Sequence, residues 1–237
     1  LSFWRDNDTE DRQGITEIRH VEGYLAYWDE LIRRHPNMLI DSCASGGRRN
    51  DLETLRRAVP LLRSDYIMEP TGNQCHSYTL PAWFPFYGTG TSKTDTYLVR
   101  SVLCPHFIAC WDQRDANLDW ANLKRIMDQW NVFAPNFYGD YYPLTPYSLE
   151  NTAWIGWQFD RPEEGKGMVQ VFRRPDSIYT AAQMKLYALD PAARYAVTDM
   201  DKPEERREYT GKELLESGLP VTINERPAAV IFLYEKL

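Results

Sequence analysis

The sequence predicts a mixed fold, an α/β part followed by an all-β part. Three observations predict it. Up to about residue 133, stretches with helical spacing alternate with short, wholly apolar runs. A stretch rich in Pro, Gly and Tyr, APNFYGDYYPLTPYS (134–148), then breaks that rhythm. Beyond it, short β-like runs are separated by turn signals. The chain has 237 residues, which suffices for one large domain or two smaller ones, each with a core.

Residues 16–35 read as an amphipathic helix, because Ile18, Val21, Tyr24, Leu25, Trp28, Leu31 and Ile32 recur at spacings of three and four. Thr16 is the expected cap, and His35-Pro36 ends the helix, since the residue before a proline is driven out of the helical region. Residues 38–41 read as a buried strand ending in Asp41. Residues 50–58 are helical again, and 59–63 form a second apolar strand that runs into Ser64-Asp65. Helix, strand, loop, helix, strand is the rhythm of a parallel α/β unit. It continues with a loop around a short strand (81–90), a helix and strand within 94–111, and a strong helix over 118–133. Residues 134–148 read as a linker. Strands follow at 154–158, 167–172, 184–186, 195–199, 219–223 and 229–234, the pattern of a small β-sandwich. DRPEEGKG reads as a hairpin loop, and LDPAARY and NERPAA as turns.

A net charge of −7 repels phosphate backbones, so nucleic acid is not an expected partner. No apolar run approaches the roughly 20 residues that cross a bilayer, so no membrane partner is expected either. Four cysteines are too sparse for a disulfide framework. Unpaired thiols favour a cytoplasmic location, with the compartment left open. Cys75-His76 and Cys104-x-His106 with Cys110 lack the paired spacing of a closed zinc site. Glu17-x-x-His20 is half of a di-metal motif without a second copy, hence a helix-surface pair. No metal and no organic cofactor is expected.

Chemistry concentrates at the strand ends. In parallel α/β folds these ends face the active site, and Asp41 and Asp65 both stand there. Two carboxylates can divide acid and nucleophile roles; each alone can equally cap the loop that follows it. Between them lies CASGGRR (43–49). Gly46 and Gly47 permit a tight turn and a close approach to a ligand. Arg48 or Arg49 can grip a hydroxyl pair or a carboxylate in a fork. The plainer reading is a solvated loop leading into a helix capped by Asn50 or Asp51. The glycine spacing is not that of a phosphate-binding loop.

The run IDSCASGGRRNDLETLRRAVPLLRSD (40–65) strongly resembles the core of family 36 glycoside hydrolases, the retaining α-galactosidases of the melibiase group. There, a C-x-x-G-x-x-R-type motif follows one barrel strand and an S-D pair ends the next. Here these are Cys43, Gly46 and Arg49, with Arg48 adjacent, and Ser64-Asp65. Residues 15–40 look like the preceding helix and strand, and 169–236 are similar to the family's C-terminal β domain. The likeness thus covers nearly the whole chain.

The resemblance implies a partial (β/α)8 TIM barrel, about the last four strands, in residues 1–147, and a small antiparallel β-sandwich in 148–237. It implies retaining hydrolysis of terminal α-galactosyl residues on oligosaccharides. Asp65 matches the acid/base; Cys43, Gly46 and Arg49 match the sugar pocket; Asp41 matches no catalytic position and returns to a structural role. The family's nucleophile motif, R/K-x-D-x-N, is not found before Cys43. FWRDND (3–8) has the composition without the spacing and reads as the loop after that strand. The nucleophile is therefore expected upstream of Leu1, and the chain is expected to be an inactive fragment. Otherwise it would be a homo-oligomer that completes its open barrel. An α-N-acetylgalactosaminidase of the same clan, transfer to another sugar, and a non-catalytic carbohydrate-binding protein on a decayed barrel remain the alternatives. Trp4, Trp83 and Trp111 in loops could stack on a sugar, and Asp112 could touch a hydroxyl. Trp28, Trp120 and Trp130 read as core.

Overall fold

Helix α2 (Ile15–Arg34) forms where the apolar spacing requires it, in a computed structural model that describes residues 2–43, 46–66 and 69–237. Its start is held by Asp8, whose carboxylate accepts from Gly14 N at 2.6 Å and Thr16 N at 2.9 Å. The capping side chain is thus Asp8 rather than Thr16. Residues 3–8, expected as a loop, instead form helix α1 (Ser2–Asn7). The chain divides into two compact units, Leu1–Arg63 and Ser64–Leu237.

In the first unit the two expected strands shrink to one parallel bridge, Asp41↔Val59. Val59 N donates to Ile40 O and Ser42 N to Val59 O, both at 2.9 Å. The ladder stops there for a chemical reason. Leu61 N, which would make the next bond of this ladder, is taken at 3.1 Å by the Asp41 side chain. The helix expected over 50–58 is the short α3 (Leu52–Leu55), capped by Asp51 through Thr54 N at 2.9 Å. Arg57 ties it to α2, donating to both Asp29 oxygens at 2.6 and 2.9 Å. Of the α2 stripe, Trp28 is buried, whereas Ile18 and Val21 are exposed, as is Phe3 of α1.

The second unit opens with α4 (Pro70–Thr79). The sequence pattern misses this helix because its buried face is Thr71, Asn73, Gln74, Cys75 and Ser77, with no apolar stripe. Strand β1 (Gly88–Thr91) and strand β2 (His106–Ala109) pair in parallel, with α5 (Thr96–Arg100) between them in sequence. Helix α6 (Trp120–Phe133) follows as expected. The supposed linker then holds a short 3-10 turn and strand β3 (Asp140–Pro143). It reads as loop because Gly139 and Pro143 bound an edge strand of four residues.

Strands β4 (Trp154–Arg161), β5 (Lys166–Arg173), β6 (Ala181–Met184), β7 (Arg194–Asp199), β8 (Lys202–Thr210), β9 (Leu219–Thr222) and β10 (Ala228–Lys236) complete the chain, with α7 (Gly211–Glu216) before β9. Six form an antiparallel sheet in the order β3-β4-β5-β10-β7-β8; β6 and β9 form a separate antiparallel pair. Strand β8 (KPEERREYT) escapes sequence reading because it is charged and exposed along most of its length, which suits an edge that must not recruit another strand.

Both faces of this sheet are covered. On one, Ile155, Trp157, Phe159, Phe172 and Ile231 join one core with Tyr97, Val99, Leu123, Ile126 and Phe133 of the helices. On the other, Val169, Val171, Val197 and Tyr234 join Met184, Leu219 and Val221 of the β6–β9 pair. The first core runs without interruption across residues 147 and 148. The observed architecture is thus mixed α/β with mainly antiparallel sheets.

Two buried arginines fasten the helices to the sheet. Arg100 donates to both Asp201 oxygens at 2.6 and 2.7 Å, to Ala229 O at 2.7 Å and to Gln129 at 2.8 Å. Arg174, fully buried, donates to Gln74 Oε1 at 2.9 Å, Ser148 O at 2.7 Å and Glu150 O at 3.1 Å, with Cys75 Sγ at 3.5 Å. Arg174→Met strands the buried Gln74 amide oxygen and removes the donor to two part-buried carbonyls, and should cost about 3 kcal/mol. A urea titration of this chain measures it, and a midpoint equal to that of the unaltered protein would refute the assignment. Lys124→Ala, which removes an exposed ion pair with Asp128, should leave the midpoint in place.

Candidate functional site

The loop after Asp41 is built from backbone need outward. Asp41 Oδ1 accepts from Cys43 N at 3.0 Å and from Leu61 N at 3.1 Å, so this carboxylate shapes the loop. The Ser42 hydroxyl is buried with no hydrogen-bond partner among the described residues, a costly state for a polar group. Cys43 is exposed. Ala44 and Ser45, the middle of the expected motif, lie outside the described residues. Gly46 and Gly47 then take φ of 76° and 85°, the left-handed region that suits glycine. A Cβ on Gly47 would stand 2.5 Å from Arg63 O. Asn50 closes the turn, its N donating to Gly47 O at 3.1 Å and its side chain to Arg63 O at 2.9 Å. The Arg49 guanidinium lies over the Tyr24 ring, 5.6 Å from its centre. That is a cation–π contact between an exposed guanidinium and the α2 ring. Cys43, Gly46 and Arg49 thus belong to one loop of the first unit.

Asp65 stands at the start of the second unit and is exposed. Its neighbours are held by side-chain bonds. Tyr66 N donates to Ser64 Oγ at 3.1 Å, and Tyr66 OH to Glu69 Oε1 at 2.6 Å. Glu69 caps α4 with both oxygens, Oε2 to Thr71 N and Oε1 to Gly72 N, each at 2.7 Å. A Cβ on Gly72 would collide with the Tyr66 ring, so only glycine lets the ring lie on the helix backbone. Burial alone would raise the Glu69 pKa. The bonds from Tyr66, Gly72 and Thr71, with the Arg174 charge, overcome it and hold Glu69 below its ordinary value. The same bond to Glu69, with burial, pushes the Tyr66 phenol up.

The remaining expectations separate. Trp28 is buried, Trp83 is exposed, and Trp4 packs on His20 with ring centres 5.6 Å apart. Trp111 donates to Lys93 O at 3.0 Å, meets Trp120 edge to ring and lies tilted against Phe107. Trp120, expected in the core, is half exposed because it starts α6 rather than lying inside it. Asp112 is bound at 2.9 and 2.7 Å by Arg114, which holds its carboxyl below the usual range. Among the described residues no group of three or more His, Cys, Asp or Glu is placed to hold a metal ion. No helix among them is long and apolar enough to cross a membrane.

Tyr66, Glu69, Gly72 and Arg174 escaped the sequence reading. E-P-T-G held a usable signal, an acidic cap followed by proline at the first helical position. Nothing in sequence joins Arg174 to residues a hundred positions earlier.

No protein-family model matches the chain. It is 22% identical over 247 aligned residues to a probable α-galactosidase C of Aspergillus terreus, covering 94% of this chain and 30% of that protein. Among solved structures it is similar to the α-galactosidase of Lactobacillus brevis, with a TM-score of 0.79 at 17% identity over 97% of this chain and 33% of that one. It is also similar to a variant of the family 36 α-galactosidase AgaA of Geobacillus stearothermophilus in complex with raffinose, with a TM-score of 0.78 at 18% identity over 98% and 33%. The likeness is one of fold. The chain spans about a third of the length of the proteins it matches.

The Glu69 cap carries a pH signature. A carboxyl whose folded pKa is depressed contributes stability above its unfolded value and loses it as pH falls through the folded one. Glu69→Gln should therefore lower the melting temperature of this chain at neutral pH. The gap to the unaltered protein should close as pH drops below 4.5, the ordinary value for glutamate. A gap that stays constant down to acid pH would show that the Glu69 charge adds nothing.

Proposed function

We propose that the chain is the C-terminal part of a family 36-type retaining α-galactosidase that removes terminal α-galactosyl residues from oligosaccharides. The observation that carries the reading is the coincidence of two things. The Cys43, Gly46, Arg49 and Ser64-Asp65 pattern stands in a chain whose fold follows such α-galactosidases over 97–98% of its length. Substrates of the raffinose and stachyose type fit, since related structures are described in complex with these sugars.

In this reading residues 1–147 are part of a (β/α)8 barrel and 148–237 its β domain. The parallel β1–β2 pair with α5 between, and the parallel Asp41–Val59 bridge, support a barrel segment. So do the exposed Phe3, Ile18 and Val21, an apolar surface that further barrel elements would cover. Asp65 gives its proton to the glycosidic oxygen as the bond to the anomeric carbon breaks. A second carboxylate, proposed to lie upstream of Leu1, takes up that carbon. Asp65 then accepts a proton from the water that releases the sugar. The loop bearing Cys43, Gly46 and Arg49 forms a wall of the sugar pocket. There the exposed Arg49 guanidinium offers N–H donors to a polyol.

The test uses the full-length protein. It should hydrolyse an aryl α-galactoside with retention of anomeric configuration, read by proton NMR of the first-formed sugar. Asp65→Asn should cut raffinose turnover by about 100- to 10,000-fold. An Asp65→Asn enzyme that turns over raffinose at the original rate would sink the assignment.

A further inference from the structure

The segment that carries Asp65 has no regular secondary structure of its own. Residues 63–66 belong to no helix and no strand. A proton donor has to stand within hydrogen-bond reach of its acceptor, and a misplacement near 1 Å can cost about 100-fold in rate. The rigidity must come from side chains.

Two bonds flank Asp65. On its near side Ser64 Oγ accepts from Tyr66 N across it, at 3.1 Å. On its far side the Tyr66 hydroxyl is fastened to Glu69 Oε1 at 2.6 Å. Glu69 is itself held from both oxygens, which accept from the first free N–H groups of α4. The Tyr66 ring lies on Gly72, with no room for a Cβ, and meets the His76 ring one turn further on at 6.0 Å. We infer that Tyr66 and Glu69 are positioning residues that hold Asp65 in place for proton transfer by tying its backbone to the start of α4. This rests on the reading of Asp65 as the acid/base. The phenol is held in its protonated form and Glu69 in its charged form, so donor and acceptor stay matched at neutral pH.

The structure distinguishes this role from simple packing. Tyr66 is nearly half exposed, at 45%, and belongs to neither hydrophobic core. Its hydroxyl can be removed without opening a cavity.

The experiment uses the full-length enzyme and two substrates. Raffinose has a poor leaving group that needs the proton; a dinitrophenyl α-galactoside has one that leaves without it. Tyr66→Phe should reduce kcat/KM on raffinose about 10- to 100-fold, and kcat/KM on the dinitrophenyl substrate, which reports bond cleavage alone, by less than about threefold. Ser64→Ala, which loosens the other flank, should show the same substrate split and decides the matter if Tyr66→Phe does not fold. Glu69→Gln, which keeps an oxygen for the phenol, should restore most of the raffinose rate lost in Glu69→Ala. Equal losses on both substrates, or none on either, overturn the inference. If Asp65→Asn is inactive on raffinose while Tyr66→Phe and Ser64→Ala behave as the original enzyme, only the positioning role fails. If Asp65→Asn is active, the proposed function fails first.

Discussion

The guanidinium of Arg174 is the constraint on which the second unit turns. It sits at the end of β5 with no exposed surface, and a charge so placed survives only if its donors are met. The acceptors come from far away in sequence: Gln74 on α4, and the carbonyls of Ser148 and Glu150 at the entry to β4. Gln74 passes the connection on, donating at 2.9 Å to both Tyr97 and Ser101 on and beside α5. One cation thereby fixes two helices and the approach to a strand. Its charge also reaches Glu69 and helps to keep that carboxylate ionised.

This explains why α4 can be a buried helix without an apolar stripe. Its inward residues are amides and hydroxyls, each with a defined partner: Thr71 to Asn151 at 2.9 Å, Gln74 to Arg174, Cys75 to Ser148 O at 3.3 Å. A polar interface of this kind is unforgiving, because a missing partner leaves a desolvated group behind. The benefit is direction. Apolar packing tolerates small slides, whereas a network of short hydrogen bonds has one register. The candidate acid rides on that helix through Tyr66 and Glu69, so the precision available at Asp65 is inherited from Arg174.

Below this layer the six-stranded sheet provides the mass of the core, with helices on one face and the β6–β9 pair on the other. The expected sandwich was legible because inward residues of β4, β5, β7 and β10 are apolar. Its second layer, however, is only two strands, and its other face is closed by helices from before residue 134. The loop of Gly46 and Gly47 was legible too, since paired glycines ahead of Asn-Asp imply a left-handed turn into a capped helix. The shortness of the neighbouring parallel pairing was not, because its cause is a side chain twenty residues away: Asp41 captures Leu61 N, the next donor of the ladder.

The sequence by itself determined the long helices α2 and α6, the core strands, the glycine turn and the S-D pair that marks Asp65. Each rests on periodicity or on the chemistry of a few adjacent residues. Only the tertiary structure decided how the neighbours of Asp65 are bonded, how α4 is buried, and which backbone groups the Asp41 carboxylate holds. The burial of α4 and the Asp41–Leu61 bond depend on polar partners separated by twenty to a hundred residues, and hydrogen bonds at that range leave no pattern in a linear sequence. The bonds of Tyr66 and Glu69 are short in sequence but need the fold to set their geometry.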